Sequence, residues 1–225
     1  MAGGLEFPPL LQGLAVAGDP FAEACRAATD ADPGTVFYAP SDAAMEVAIL
    51  LAPETPLAEA VKVSFAASLG LNDALGALAP PEVAVHLEWP DRVRVNGALC
   101  GRLRAAASTS DVQVEPDWLV IGLDVKITPT GDEDPGAAPD RTCLHDEGCG
   151  NVTSSDLIEA WARHMMNWLH IYLADGFEPL HREWLVKAHG REEGHFIGLD
   201  EHGGLILKDG GATRILPLTQ RLERA

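Results

Sequence analysis

Glu88-Trp89-Pro90-Asp91-Arg92-Val93-Arg94-Val95-Asn96-Gly97-Ala98-Leu99-Cys100-Gly101 is the stretch whose pattern organises the rest of the chain. Val93 and Val95 alternate with Arg92 and Arg94, the period-2 signature of a strand with one buried face. Asn96-Gly97 tolerates positive φ at both positions and predicts a tight hairpin turn. Leu99 to Ala105 then returns as the partner strand. Upstream, Val83, Val85 and Leu87 alternate in the same way, and downstream Trp118 to Ile127 supplies another strand. The middle of the chain is therefore an antiparallel run and not a βαβ repeat.

Toward the N-terminus, Phe21, Ala24, Cys25 and Ala28 recur at helical spacing behind Asp19-Pro20, a pair suited to a helix start. Asp32-Pro-Gly34 breaks the chain before short strands at Thr35–Tyr38 and Met45–Leu51. Leu57 to Leu78, rich in Ala and Leu, predicts one long buried helix that Pro80-Pro81 stops. Beyond a Pro/Gly/Asp-rich loop over Thr128–Gly150, Thr153 and Asp156 predict the cap of a helix reaching about Asp175. Its apolar stripe is Leu157, Ile158, Trp161, Met165, Trp168, Leu169, Tyr172 and Leu173, spaced as a core-packing face. A shorter helix follows over Phe177–Ala188. His195–Leu199, Leu205–Lys208 and Thr213–Leu216 then form a small β appendage, too small to be stable alone. Residues 1–189 are expected to form the main domain and 190–225 the C-terminal β domain.

The 225 residues carry 34 acidic and 16 basic side chains, a formal charge of −18. So negative a surface repels phosphate backbones and anionic lipid, which argues against nucleic-acid and membrane partners. No apolar run approaches the ~18 residues of a membrane span, and Met1–Leu10 lacks the features of a signal peptide. The expected location is cytoplasmic. Cys25, Cys100, Cys143 and Cys149 are too few and too scattered for a disulfide scaffold. Cys143-Leu-His145-Asp-Glu-Gly-Cys149 offers soft ligands but lacks a fourth at zinc spacing, so it is expected to be a loop with free thiols, and no metal is assigned.

The hairpin segment resembles the biotin–protein ligase and lipoate–protein ligase family, which has a similar strand–hairpin–strand with the pattern Lys-Trp-Pro-Asn-Asp, alternating hydrophobics, Asn-Gly and Lys-Leu-x-Gly. Trp89, Pro90, Asn96-Gly97, Leu99 and Gly101 match in order. Trp118-Leu-Val-Ile-Gly-Leu123 resembles the family's later Val-Ile-Gly-Ile-Gly strand. Gly176-Phe-Glu-Pro-Leu180 with Trp184, and Ile197-Gly-Leu-Asp200 through Leu207, resemble its later helix and C-terminal segments. The resemblance covers about Gly34 to Leu218. It implies an α+β fold: a mixed sheet backed by helices, related to class II aminoacyl-tRNA synthetases, with a small SH3-like C-terminal β domain.

What the resemblance implies chemically is ATP-dependent attachment of biotin, or a related acid such as lipoate or octanoate, to a lysine of a biotin or lipoyl carrier domain. Biotin, ATP and Mg²⁺ are the cofactors so implied. The departures are specific. The family's Gly-Arg-Gly-x-x-Gly-Arg loop, whose amides and arginines hold the acyl-adenylate, is replaced by Tyr38-Ala-Pro-Ser-Asp-Ala-Ala-Met-Glu46, which has neither Gly nor Arg. Glu88 stands for the first lysine, Asp91-Arg92 for Asn-Asp, and the hairpin lysine has no counterpart. Arg92, Arg94, Arg102 and Arg104 cluster nearby. They are either solvated sheet-face charges or, for Arg102 or Arg104, anion ligands in the pocket, with Arg102 the better candidate.

The residues nominated for substrate binding are Trp89, Pro90, Asp91, Asn96, Gly97, Gly101, Arg102, Arg104 and Gly122; no catalytic residue is assigned. The retained framework favours a ligase-like function. The lost loop and lysines favour the alternative, a non-catalytic domain that holds a small carboxylic acid or engages a partner protein. Acyl transfer from a preactivated donor would need a nucleophile, for which Cys100 is the one cysteine in the hairpin, beside its plainer role as a buried structural thiol.

Overall fold

The computed structural model describes residues 4–129, 140–189 and 195–223. Residues 130–139 of the expected Pro/Gly/Asp-rich loop, and the boundary at 190 between the two expected domains, lie outside the described residues. Seven strands form the main sheet: β1 (Gln12–Ala15), β2 (Thr35–Tyr38), β3 (Ala44–Leu51), β4 (Val85–Glu88), β5 (Arg92–Val95), β6 (Ala98–Ala107) and β7 (Leu119–Lys126). Their order is β1-β2-β3-β7-β6-β5-β4. β1 runs parallel to β2 and every other pair is antiparallel, so the sheet is mixed, as expected. Asn96 (φ 49°) and Gly97 (φ 92°) form the predicted turn between β5 and β6.

One face of the sheet carries the main core. Helices α3 (Val63–Leu78) and α4 (Ser154–Asp175) pack over it, burying Val36, Met45, Val47, Ile49, Leu103, Ile121 and Leu123. Both helices begin and pack for identifiable reasons. The Thr153 hydroxyl accepts from Asp156 N, capping α4. A Cβ on Gly70 would lie 2.7 Å from Met165 N, so this glycine lets α3 and α4 approach closely. Trp161 is fully buried and donates to Ala67 O at 3.1 Å.

The other face is covered only in part. Helix α1 (Pro20–Ala27), capped by Asp19 and started by Pro20, lays Phe21, Ala24 and Ala28 on Phe37, Ala48, Leu50, Ala106 and Val120. A Cβ on Gly122 would lie 2.6 Å from the Phe21 ring. The cover stops there.

Several sequence expectations need correction. β1 was not foreseen: its four side chains are exposed, so no alternation marks it. The expected single helix over Leu57–Leu78 divides into α2 (Leu57–Ala60) and α3. Between them Lys62 N bonds Glu59 O and Ser64 N bonds Val61 O, i→i−3 bonds that tighten the turn. The α4 stripe ends early, because Leu173 lies beyond the core and is exposed. The short helix α5 spans Glu178–Lys187.

The C-terminal strands β8 (His195–Leu199), β9 (Leu205–Asp209) and β10 (Ala212–Leu216) form an antiparallel three-stranded sheet. It docks through Trp89, whose indole N–H donates to Gly203 O at 3.0 Å and whose ring lies 5.3 Å from the Arg221 guanidinium. Gly203 packs on Phe65, and Glu223 N bonds Ala105 O.

Replacing Gly122 with Ala should lower the melting temperature by an amount equivalent to about 1–3 kcal/mol, the usual cost of overpacking. Thermal denaturation followed by circular dichroism checks this; an unchanged midpoint would mean that Phe21 moves freely.

Candidate functional site

Strand register builds the site. On the face that α1 half covers, successive cross-strand rows are Leu50–Val120–Ala106, Ala48–Gly122–Arg104, Glu46–Asp124–Arg102 and Ala44–Lys126. Alternation places all of these side chains on one side of the sheet. The first two rows lie at α1. The last two form the floor of an open groove of ≈ 510 Å³, also lined by Asp19, Ala43, Leu99, Gly101 and Arg141. Arg141 arrives from outside the sheet, along a parallel bridge to Leu99.

The charges in the groove fall into two sets. Arg102 Nε donates to Asp124 at 3.1 Å. Arg104 is held at the α1 end: its Nη1 donates to Asp19 at 2.7 Å, its Nε and Nη2 to Glu223 at 3.0 and 2.9 Å, and its guanidinium lies 4.1 Å from the Phe21 ring centre. The bonds to Glu223 and then Asp19 raise its pKa further. Burial pushes the Asp19 carboxyl up, but the bonds from Arg104 and Phe21 N outweigh it and hold Asp19 below the ordinary value. The second set is unpaired: among the described residues Lys126, Arg141 and Glu46 form no ion pair. Burial, together with Asp124 and Asp19, raises the Glu46 pKa, and burial raises that of Asp124 despite Arg102.

The nominated residues divide between this groove and other places. Gly101, Arg102 and Arg104 line it. A Cβ on Gly101 would lie 2.6 Å from Asp124 O, so this glycine serves close strand approach. Gly122 lies under Phe21. Trp89 is buried beneath the C-terminal sheet. Pro90 and Asp91 border a separate small cleft with Arg221, where burial raises the Asp91 pKa. Asn96 bonds Ala84 N and Glu147, and Gly97 O accepts from Arg94; both belong to the hairpin turn. Arg92 and Arg94 both pair with Glu88 and do not line the groove, although Arg92 lies opposite Arg102 in the register.

Sequence reasoning missed Lys126, Asp124 and Arg141. The first two were legible in principle, because Asp124 and Lys126 alternate at the end of an apolar strand. Arg141 carried no local signal. Glu46 was noticed only as a departure from the family loop, and Ala43 and Ala44 of that segment do line the groove.

Cys100 also borders the groove but is buried, with Sγ 3.6 Å from Lys126 O. Burial, with Cys143 and Cys149 nearby, pushes its thiol up to about 12, so little thiolate exists at neutral pH. All four cysteines are free. Among the described residues no group of three His, Cys, Asp or Glu side chains is placed to hold a metal, and no helix is long and apolar enough to cross a membrane.

The chain is thus an α+β protein, a mixed sheet backed by helices with a small antiparallel three-stranded C-terminal sheet. The model of the Biotin/lipoate A/B protein ligase family matches residues 7–186, and the chain belongs to that family. It is 27% identical over 185 residues to a biotin–[acetyl-CoA-carboxylase] ligase of Paracoccus denitrificans, covering 76% of this chain and 77% of that protein. A biotin protein ligase-like protein of unknown function from a Silicibacter species is 45% identical, with a TM-score of 0.91 over 98% of this chain and all of that one. The biotin protein ligase of Aquifex aeolicus, 16% identical, superposes with a TM-score of 0.73 over 91% of this chain and 95% of its own, and shares the fold.

The raised pKa values of Glu46 and Asp124 fix a sign. A carboxyl whose folded pKa exceeds its unfolded value gives stability that is present at low pH and lost as pH rises through the folded value. Glu46→Gln should therefore raise the melting temperature at pH 7 and leave it little changed at pH 3. Melting curves across pH check this; a lower midpoint at pH 7 would contradict it.

Proposed function

We propose that this chain is a ligase-family protein that binds a small carboxylic acid of the biotin, lipoate or fatty-acid class in the groove over β3, β6 and β7. The observation that supports this most is the pair of cations, Lys126 and Arg141, which form no ion pair among the described residues and line a ≈ 510 Å³ cavity together with the apolar side chains of Ala43, Ala44 and Leu99. A carboxylate at Lys126 would gain a charge-assisted hydrogen bond. Ala44, opposite Lys126 in the register, leaves room above the ammonium for the acid's head group.

The residues present do not fit a magnesium triphosphate. Ala43 and Ala44 line the rim where the family's Gly-Arg loop would supply amides and guanidinium groups. Arg102 and Arg104 are already neutralised by carboxylates, and Glu46 and Asp124 add repulsion. Such a rim gives an acyl-adenylate little to hold it. Acid binding without ligation is the function these residues support best.

A second reading, ATP-dependent attachment of the acid to a carrier-domain lysine, is favoured by one observation. Lys126 projects into the groove one strand away from the hairpin whose family lysine is missing, so a cation remains available to the acid. The Aquifex aeolicus relative has been seen with biotin and ATP, which motivates the nucleotide arm of the test.

Calorimetric titration with biotin, lipoate and C6–C8 acids, with and without ATP and Mg²⁺, should show saturable binding of at least one acid that ATP does not tighten. Lys126→Ala should weaken that binding at least about tenfold, the loss of one charged hydrogen bond. Binding unaffected by Lys126→Ala would exclude the groove as the acid site. Labelling of a biotin-carrier domain in the presence of ATP would establish the second reading.

A further inference from the structure

Among the described residues the groove holds a carboxylate without an ion-pair partner as well as two such cations, and a simple acid uses only the cations. Glu46 and Asp124 are direct cross-strand partners on the same face, an arrangement of like charges that is unfavourable on a sheet. Asp124 is relieved by Arg102. Glu46 has no partner among the described residues, although it is half buried on the groove floor. Lys126 lies two residues beyond Asp124 on β7, about 7 Å along the strand, so Glu46 and Lys126 are diagonal neighbours roughly 8 Å apart at the backbone. Ala44, opposite Lys126, and Asp124, opposite Glu46, occupy the other two corners of that cross-strand square.

We infer that the ligand of this groove is a dipolar ω-amino acid, its carboxylate at Lys126 and Arg141 and its ammonium at Glu46. This rests on the groove being a carboxylic-acid site, as proposed above. An ammonium beside Glu46 neutralises the unpaired member of the like-charged row, and a methyl terminus at the same place leaves it unrelieved and further desolvated. Carboxylate and cations stand on neighbouring rows of one face, so both ends of a short ω-amino acid can be engaged at once, and 6-aminohexanoate, whose termini lie about 7–8 Å apart at ordinary bond lengths, is the probe. Glu46 is thus a specificity-determining residue. A hydrogen-bonding site of this type rejects an analogue that leaves its polar group unpaired.

The test is calorimetric titration of the full chain with 6-aminohexanoate and hexanoate, which differ only at the far terminus, on wild type and Glu46→Gln. Wild type should bind 6-aminohexanoate about five- to tenfold more tightly, the scale of one partly exposed ion pair with a hydrogen bond. Glu46→Gln should abolish the preference while keeping hexanoate affinity equal or higher, since a repulsive carboxylate has gone. Equal binding of the two ligands by wild type overturns the inference and leaves the acid site standing. A preference that persists in Glu46→Gln overturns the assignment to Glu46. Failure of both ligands, together with biotin and lipoate, to bind would instead remove the acid site itself. Near-native circular dichroism of Glu46→Gln confirms that the comparison is between folded proteins.

Discussion

Phe21 seated on Gly122 is the contact on which the rest of the site depends. The aromatic ring occupies the volume that any side chain at 122 would need, which fixes where α1 crosses the sheet. From that position α1 covers two cross-strand rows and leaves the next two open. The opposite face is buried under α3 and α4 at Val36, Met45, Val47, Ile49, Leu103, Ile121 and Leu123. A sheet with one sealed face and one half-sealed face presents its alternating polar side chains only where cover is missing. The groove is the consequence of one helix being short.

The same contact organises the electrostatics. Arg104 stacks on Phe21 and binds Asp19 at the α1 cap and Glu223 near the C-terminus. It ties three separate parts of the chain together and in doing so is withdrawn from ligand binding. The neighbouring row is balanced by Arg102 and Asp124. What is left for a ligand lies at the far end, in Lys126, Arg141 and Glu46. In a chain of net charge −18, this local placement matters more than the total, because long-range potential is screened within about 8–10 Å at physiological salt.

Much of the fold was legible in the sequence. The hairpin at Asn96-Gly97, the caps at Asp19 and Thr153 and the apolar stripe of α4 are local signals, and local chemistry sets them. β1 was invisible because exposed edge residues carry no burial pattern, and the break at Lys62 arose from i→i−3 bonding that composition does not encode. The site was less legible. Family resemblance pointed to Trp89, Pro90 and the turn, yet in this chain Trp89 anchors the C-terminal sheet and Asn96 fastens a loop. Lys126 and Asp124 become meaningful only through register, which sets them beside Ala44 and Glu46. Arg141 reaches the groove through a long-range bridge that no sequence window contains.

If the half-covered sheet face, and not the Trp89–Pro90 element, receives the ligand, the two regions must respond differently to it. Amide and indole chemical shifts of the ¹⁵N-labelled protein, followed during titration with a carboxylic acid that binds, test this directly. The largest shifts are expected at Ala44, Gly101, Lys126 and Arg141, with the Trp89 indole N–H unmoved. Large shifts at Trp89 and Asp91 with a silent groove would contradict it.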